Sequence, residues 1–83
     1  MRKSIHTSTY ILFADLLVQS RKEARMTQQQ LADRLGRPQS FVAKYEARER
    51  RLDVIELLEV TDALGVDPVE FVIELNEARR KDR

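Results

Sequence analysis

Apolar residues recur along the chain at the three- and four-residue spacing that is typical of amphipathic helices. This spacing predicts five helices, at about residues 8–24, 28–35, 38–47, 54–64 and 68–80. The fourth segment is apolar around much of its circumference, which predicts that it forms the central helix of the fold. No segment keeps the two-residue alternation of a half-buried strand. We therefore predict an all-α fold.

Local signals mark where several of these helices begin and end. In a capping box, a capping residue is followed three positions later by Glu or Gln. In a hydrophobic staple, the residue before the cap and the residue four positions after it are apolar and pack together. Both patterns occur at three positions, Thr27, Asp53 and Asp67. Gly36 and Gly65 follow the second and fourth helices, as expected for left-handed C-terminal caps. Pro38 fits the start of the third helix, so that a short turn joins the second helix to the third.

Length and composition restrict the class of protein. The 83 residues fit one domain over residues 1–83, with a core at about 8–78 and frayed tails at 1–7 and 79–83. There is no cysteine and only one histidine, which excludes thiolate metal sites and leaves little for nucleophilic catalysis. We therefore expect no enzyme, no metal site, no cofactor and no small-molecule ligand.

An apolar stretch near the N-terminus could be mistaken for a leader or a membrane segment. It runs from Tyr10 to Val18 and is interrupted by Asp15. Nine residues are too few to span a bilayer, and no small-residue cleavage site follows. We expect an amphipathic helix, no membrane partner and a cytoplasmic location.

The charges are divided between the two halves of the chain. Residues 1–51 carry 11 bases and 5 acids, a net charge of +6, whereas residues 52–83 carry 4 bases and 9 acids, a net charge of −5. Such a division indicates one surface that attracts a polyanion and another that repels it. Random surface charge is the alternative explanation.

The stretch MTQQQLADRLGRPQSFVAKYE, from Met26 to Glu46, resembles the Cro/CI-like (Xre) family of DNA-binding domains. Thr-Gln-x-x-Leu-Ala, Leu-Gly, Gln-Ser and Tyr-Glu fall together at the family's spacings, and the resemblance extends from about Phe13 to Leu75. It implies a five-helix, lambda-repressor-like domain with a helix-turn-helix. It also implies a sequence-specific regulator of transcription, most simply a repressor, that binds an inverted repeat in double-stranded DNA as a homodimer.

The resemblance implies which residues contact DNA. Base contacts fall on the outward face of the third helix, at Gln39, Ser40 and Lys44, whose side chains can hydrogen-bond base edges. Phosphate contacts fall on residues around that helix, Thr27, Gln28, Arg37, Arg48, Arg50 and Arg51. Arg21 and Glu46 match a structural ion pair of the family. For the polar residues the competing interpretation is an ordinary solvated helix surface.

Three residues depart from the family pattern, and a fourth, Phe41, has two interpretations. Arg25 and Arg48 stand where the family usually has glycine, which predicts either positive backbone φ angles or altered turns. Pro38 replaces the usual Ser or Thr cap of the third helix and so removes a hydroxyl group. Phe41 either touches a thymine methyl group or packs on Tyr45, and we favour packing.

The fifth helix has more apolar surface than one packing face needs. Val69, Val72 and Ile73 are predicted to form a dimer interface, and the alternative is a helix buried on two sides within the monomer. A different function is also open, in which this acidic, apolar C-terminal half binds a protein, as in an interaction module or an antitoxin-type partner. Prophage repressors, restriction–modification controllers and antitoxins all fit the sequence, as does control by a separate regulatory protein.

Overall fold

The computed structural model describes residues 7–81, and within that range the chain forms five helices and no strand. The helices are α1 (Ser8–Glu23), α2 (Gln28–Leu35), α3 (Gln39–Glu46), α4 (Val54–Leu64) and α5 (Pro68–Lys81). The predicted all-α fold is confirmed, and every helix end lies within a residue or two of its predicted place. Residues 79–81, predicted as part of a frayed tail, instead continue α5. Thr7, also predicted to lie in a tail, caps α1, and residues 1–6 and 82–83 lie outside the described residues.

Capping boxes begin α2 and α4 as the sequence predicts. The Thr27 hydroxyl accepts the Gln30 N–H at 3.0 Å, and the Gln30 side chain accepts the Thr27 N–H at 2.9 Å. Asp53 and the residue three positions later form the same reciprocal pair. At α5 the cap differs, because the Asp67 carboxylate accepts the N–H of Val69 at 2.8 Å. A cap side chain can satisfy either the second or the third helical N–H, and here it satisfies the second.

Each helix contributes a large apolar side chain to one core. Leu17, Leu31, Val42, Val60 and Phe71, one from each helix in turn, are at most 2% exposed. Full burial of such a side chain contributes about 1.5–3 kcal/mol. The core therefore holds α3 by its inner face and leaves its outer face open.

The turns after α1 and α3 keep the left-handed backbone that glycine usually supplies. Arg25 has a φ angle of 59° and Arg48 one of 61°. The first of the two alternatives for these positions is therefore correct, and the turns are not altered. An L-residue in this region costs about 1 kcal/mol relative to glycine, so the chain keeps these two turns at some cost in stability.

Tyr45 carries a buried hydroxyl group that has no hydrogen-bond partner within residues 7–81. The side chain is 1% exposed, and this burial raises the pKa of the Tyr45 phenol well above its usual value. Tyr45→Phe is expected to raise the free energy of unfolding by about 1 kcal/mol, because it removes an unsatisfied polar atom and keeps the ring. Urea denaturation of both proteins measures the difference. A loss of stability would mean that the hydroxyl is bonded in solution.

Candidate nucleic-acid interface

The outer face of α3 is polar and open. Gln39, Ser40 and Lys44 are exposed, whereas Phe41, Val42 and Tyr45 of the same helix are buried. Successive residues of an α-helix are separated by about 100°, which places the three polar side chains on the half of the helix that faces away from the core. The structure thus brings together the residues that the sequence predicts for base contacts, on one surface.

One flank of α3 is fixed by a hydrogen-bonded chain of four side chains. Arg21 donates to Glu46 through Nε at 2.7 Å and Nη2 at 3.1 Å. Gln28 donates to Glu46 Oε1 at 2.8 Å, and its own Oε1 accepts from Gln39 Nε2 at 2.6 Å. The chain joins α1 and both helices of the turn, and it ends on the first residue of α3.

The Arg21–Glu46 pair at the inner end of this chain is shielded from solvent. The two side chains are 12% and 6% exposed, and Arg21 also donates to the carbonyl oxygen of Met26 at 2.8 Å. The hydrogen bond with Glu46 raises the pKa of the Arg21 guanidinium above its ordinary value. A pair with this geometry holds the orientation of α1 relative to the end of α3 and does not face a ligand.

Gln28 has a role that the sequence did not indicate. We predicted a phosphate contact, and the structure places its amide between Glu46 and Gln39. The amide nitrogen of Gln28 has two hydrogens, so one donor remains for an outside acceptor. The oxygen of Gln28 fixes the direction of the Gln39 amide. No sequence pattern indicates this contact, because it joins side chains eleven residues apart across a turn.

The other flank of α3 is built around the ring of Phe41. This ring packs edge-on against Tyr45 with centroids 5.4 Å apart, and it is 7% exposed. The guanidinium groups of Arg37 and Arg50 lie over it, 4.3 Å and 4.8 Å from its centroid. The predicted packing of Phe41 is thus observed, and the ring is not free to meet a thymine methyl group.

Glu56, at the start of α4, holds these two arginines. Its carboxylate binds Arg50 through two hydrogen bonds of 2.7 Å and 3.0 Å and lies 3.7 Å from Arg37. The hydrogen bonds from Arg50 lower the pKa of Glu56 from 4.5 to about 2. Arg50 therefore does not present an unpaired guanidinium to solvent, and its contact with a phosphate stays a prediction. The sequence indicated Glu56 only as a capping residue.

The other residues predicted to contact phosphates differ in exposure and in their neighbours. Thr27 is exposed, and its hydroxyl is part of the capping box of α2. Arg48 is half-buried in its left-handed turn. Arg51 is exposed, with its guanidinium 5.7 Å from the centroid of the Tyr10 ring. Pro38 caps α3 without a side-chain hydrogen bond, as expected of a residue that has no hydroxyl.

Six large apolar side chains of α4 and α5 are 41–69% exposed, namely Val54, Ile55, Leu58, Val69, Val72 and Ile73. We call this set of side chains the α4–α5 face. The alternative in which α5 is buried on two sides is wrong, since Phe71 is the only residue of α5 in the core. The prediction that α4 is central is also too strong, because one of its sides is open.

Two other kinds of site, a metal centre and a membrane span, have no candidate among the described residues. Within residues 7–81 no group of three or more acidic or histidine side chains is arranged to hold a metal ion. Over the same range, every helix is too short or too polar to cross a bilayer. The polar face of α3 and the α4–α5 face are the two surfaces on which the proposed function is built.

Two helices joined by the turn at residues 36–38, with the second exposed on its polar side, define a helix-turn-helix protein. A helix-turn-helix family model matches residues 17–71, about two thirds of the chain. The chain belongs to the Xre family of helix-turn-helix proteins, a family of DNA-binding regulators of transcription.

Solved structures with the same fold differ in how similar their sequences are to this chain. An XRE-family like protein from Pseudomonas syringae pv. tomato str. DC3000 is 47% identical, with a TM-score of 0.84 over 90% of this chain and 92% of that one. The restriction-modification controller protein C.AhdI from Aeromonas hydrophila is 25% identical, with a TM-score of 0.71 over 78% of this chain and 98% of that one. The wild-type controller protein C.Esp1396I is 22% identical, with a TM-score of 0.79 over 87% and 95%. No curated protein sequence matches the chain.

Proposed function

We propose that this protein is a sequence-specific repressor that binds an inverted repeat in double-stranded DNA as a homodimer, with α3 in the major groove. The observation that carries the proposal is the open polar face of α3, on which the Gln39 amide is already oriented by Gln28. An oriented Gln amide can pair with the N6 and N7 atoms of adenine. Lys44 supplies a donor for guanine acceptors, and Ser40 can pair with several base edges.

The homodimer follows from how little DNA one domain can read. A two-fold axis doubles the base and phosphate contacts and requires half-sites whose centres are about 34 Å apart. The α4–α5 face supplies six large exposed apolar residues for such an interface, and patches of this kind in small domains commonly mark association sites. The alignment with the restriction-modification controller protein C.AhdI covers 98% of that chain, which supports a regulator of this size.

Exposed acidic side chains on α4 and α5 support a second candidate. Glu59, Asp62 and Glu70 are exposed on the same two helices, so a basic, apolar protein partner would also fit there. Such a partner would be a regulator of the repressor or an antitoxin-type complex. The two candidates differ in whether the purified chain forms a dimer by itself.

Gln39→Ala is expected to relax base preference at one position in each half-site, at a cost of about 1–3 kcal/mol in binding to the preferred site. The reason is that the substitution removes a pair of directed hydrogen bonds and leaves the phosphate contacts in place. Binding to a panel of duplexes changed one base pair at a time measures the loss.

Gln29→Ala is the matched control for this test. Gln29 is exposed on α2, and its side chain binds Asp33 of the same helix at 2.8 Å, so its loss is expected to change no base preference. If Gln39→Ala weakens preferred and scrambled duplexes equally, Gln39 does not read a base.

A further inference from the structure

Glu56 links three segments of the chain on the side of α3 that carries Phe41. It belongs to the first turn of α4, where its Oε1 also accepts the Asp53 N–H at 3.0 Å. Arg37 comes from the turn before α3, and Arg50 from the loop after it. The carboxylate is thus anchored to α4 and joined to both ends of the segment that carries the polar face.

The two arginines are engaged to different degrees. Arg50 gives both terminal nitrogens to Glu56 and a further hydrogen bond of 2.8 Å to the carbonyl oxygen of Arg51. Arg37 lies 3.7 Å from both Glu56 and Glu59, beyond hydrogen-bond distance, and its side chain makes no hydrogen bond within residues 7–81. Arg37 is therefore held in place over Phe41 with its donors unused, whereas the donors of Arg50 are largely used.

The pairing of Arg50 with Glu56 affects how strongly the protein attracts DNA of any sequence. Each phosphate that a protein neutralises raises its affinity for every duplex, whatever the sequence. It also steepens the slope of log K against log salt by about 0.9. A free arginine beside α3 would therefore raise affinity for wrong sites together with that for the right one. A carboxylate that binds the arginine removes this contribution.

We propose that Glu56 is a specificity-determining positioning residue: it keeps Arg50 away from the phosphates and orients Arg37 against Phe41, and so limits sequence-independent binding. This inference rests on the proposed binding of double-stranded DNA. Glu56 acts through the two arginines and does not itself touch DNA. Its loss is expected to tighten binding to unrelated duplexes and to narrow the difference between right and wrong sites.

The test is the salt dependence of duplex binding by the full chain carrying Glu56→Gln. Glutamine keeps an oxygen that can accept the Asp53 N–H, so the capping box of α4 is retained. For a scrambled duplex, we expect affinity at low salt to rise roughly 3- to 10-fold and the slope of log K against log salt to steepen by about 1. Affinity for the preferred site is expected to rise less. The ratio of the affinity for the preferred site to that for the scrambled duplex therefore falls.

Glu59→Gln is the matched control. It removes the same charge from α4, at a carboxylate equally far from Arg37 that is 53% exposed. Within residues 7–81, Glu59 makes no hydrogen bond or ion pair with Arg50, and its substitution is expected to leave the salt slope within a few tenths of the wild-type value. An equal effect of both substitutions would mean that only net charge matters, and would overturn the inference.

Glu56→Asp separates geometry from charge and covers the case in which Glu56→Gln does not fold. It keeps the charge and shortens the side chain by one methylene, which is expected to release Arg50 in part and to steepen the slope by an intermediate amount. Unchanged or weaker binding of scrambled DNA by both folded variants would contradict the proposal. If the wild type binds no duplex at low salt, the proposed function fails first, and this inference fails with it.

Discussion

Glu46→Ala is expected to lower the free energy of unfolding by about 3–5 kcal/mol, because it leaves a shielded guanidinium without its counter-charge. Arg21 is 12% exposed and gives two hydrogen bonds to the carboxylate that would be lost. Gln28 would lose its acceptor as well, and with it the support of Gln39. Since small domains have about 5–15 kcal/mol of stability in total, the variant is expected to be close to unfolding. Urea denaturation followed by circular dichroism gives the difference.

Two further variants show whether the effect belongs to the pair. Glu49→Ala removes an exposed carboxylate three residues away and is expected to change stability by no more than about 0.5 kcal/mol. The double variant Arg21→Met with Glu46→Leu removes both charges and is expected to be more stable than Glu46→Ala alone. A loss below about 1 kcal/mol for Glu46→Ala would mean that the pair is solvated and does not hold α1 against α3.

The double variant Val72→Glu with Ile73→Glu is expected to be a monomer and to bind the complete inverted repeat about 10²–10⁴ times more weakly than the wild type. Both side chains lie on the α4–α5 face, 49% and 52% exposed, so new carboxylates there would be buried between two copies without partners. Binding to a single half-site is expected to be unchanged, since α3 lies elsewhere. Sedimentation and duplex binding measure the two effects.

Ile11→Glu is the control for this pair of substitutions. Ile11 is an exposed apolar residue on α1, 36% exposed, and its replacement is expected to leave the dimer intact. A dimer that survives Val72→Glu with Ile73→Glu would place the interface on another surface. A wild type that is already monomeric, even at high concentration, would favour a separate protein partner on the α4–α5 face.

The helices could be predicted because their signals are local. Thr27 and Asp53 each have their capping partner three residues along the chain, and the structure has both boxes. Asp67 has the same pattern but caps through Val69, since sequence does not distinguish two donors that one side chain can reach. The exposure of Val54 and Ile55 was missed because a wide apolar helix can be either central or part of an association surface.

The polar face of α3 could also be predicted, because helical periodicity decides which side chains point outward. The contacts beside it could not, since they join side chains from separate segments. Glu56 and Arg50 are six residues apart across the end of a loop, and Gln28 and Gln39 lie on different helices. Periodicity carries no information about such pairs, so the bonds of Arg50 to Glu56 and of Gln28 to Gln39 were not predicted.

The central claim is that the polar face of α3 reads bases in the major groove of duplex DNA. Selection of bound duplexes from a random pool by the wild-type chain, followed by a salt titration of the selected sequence, tests this most directly. We expect an inverted repeat with half-site centres about 34 Å apart, whose affinity falls by about 10³–10⁵ between roughly 50 and 200 mM salt. A pool that stays random after selection, or the absence of duplex binding at the lower salt concentration, would contradict the claim.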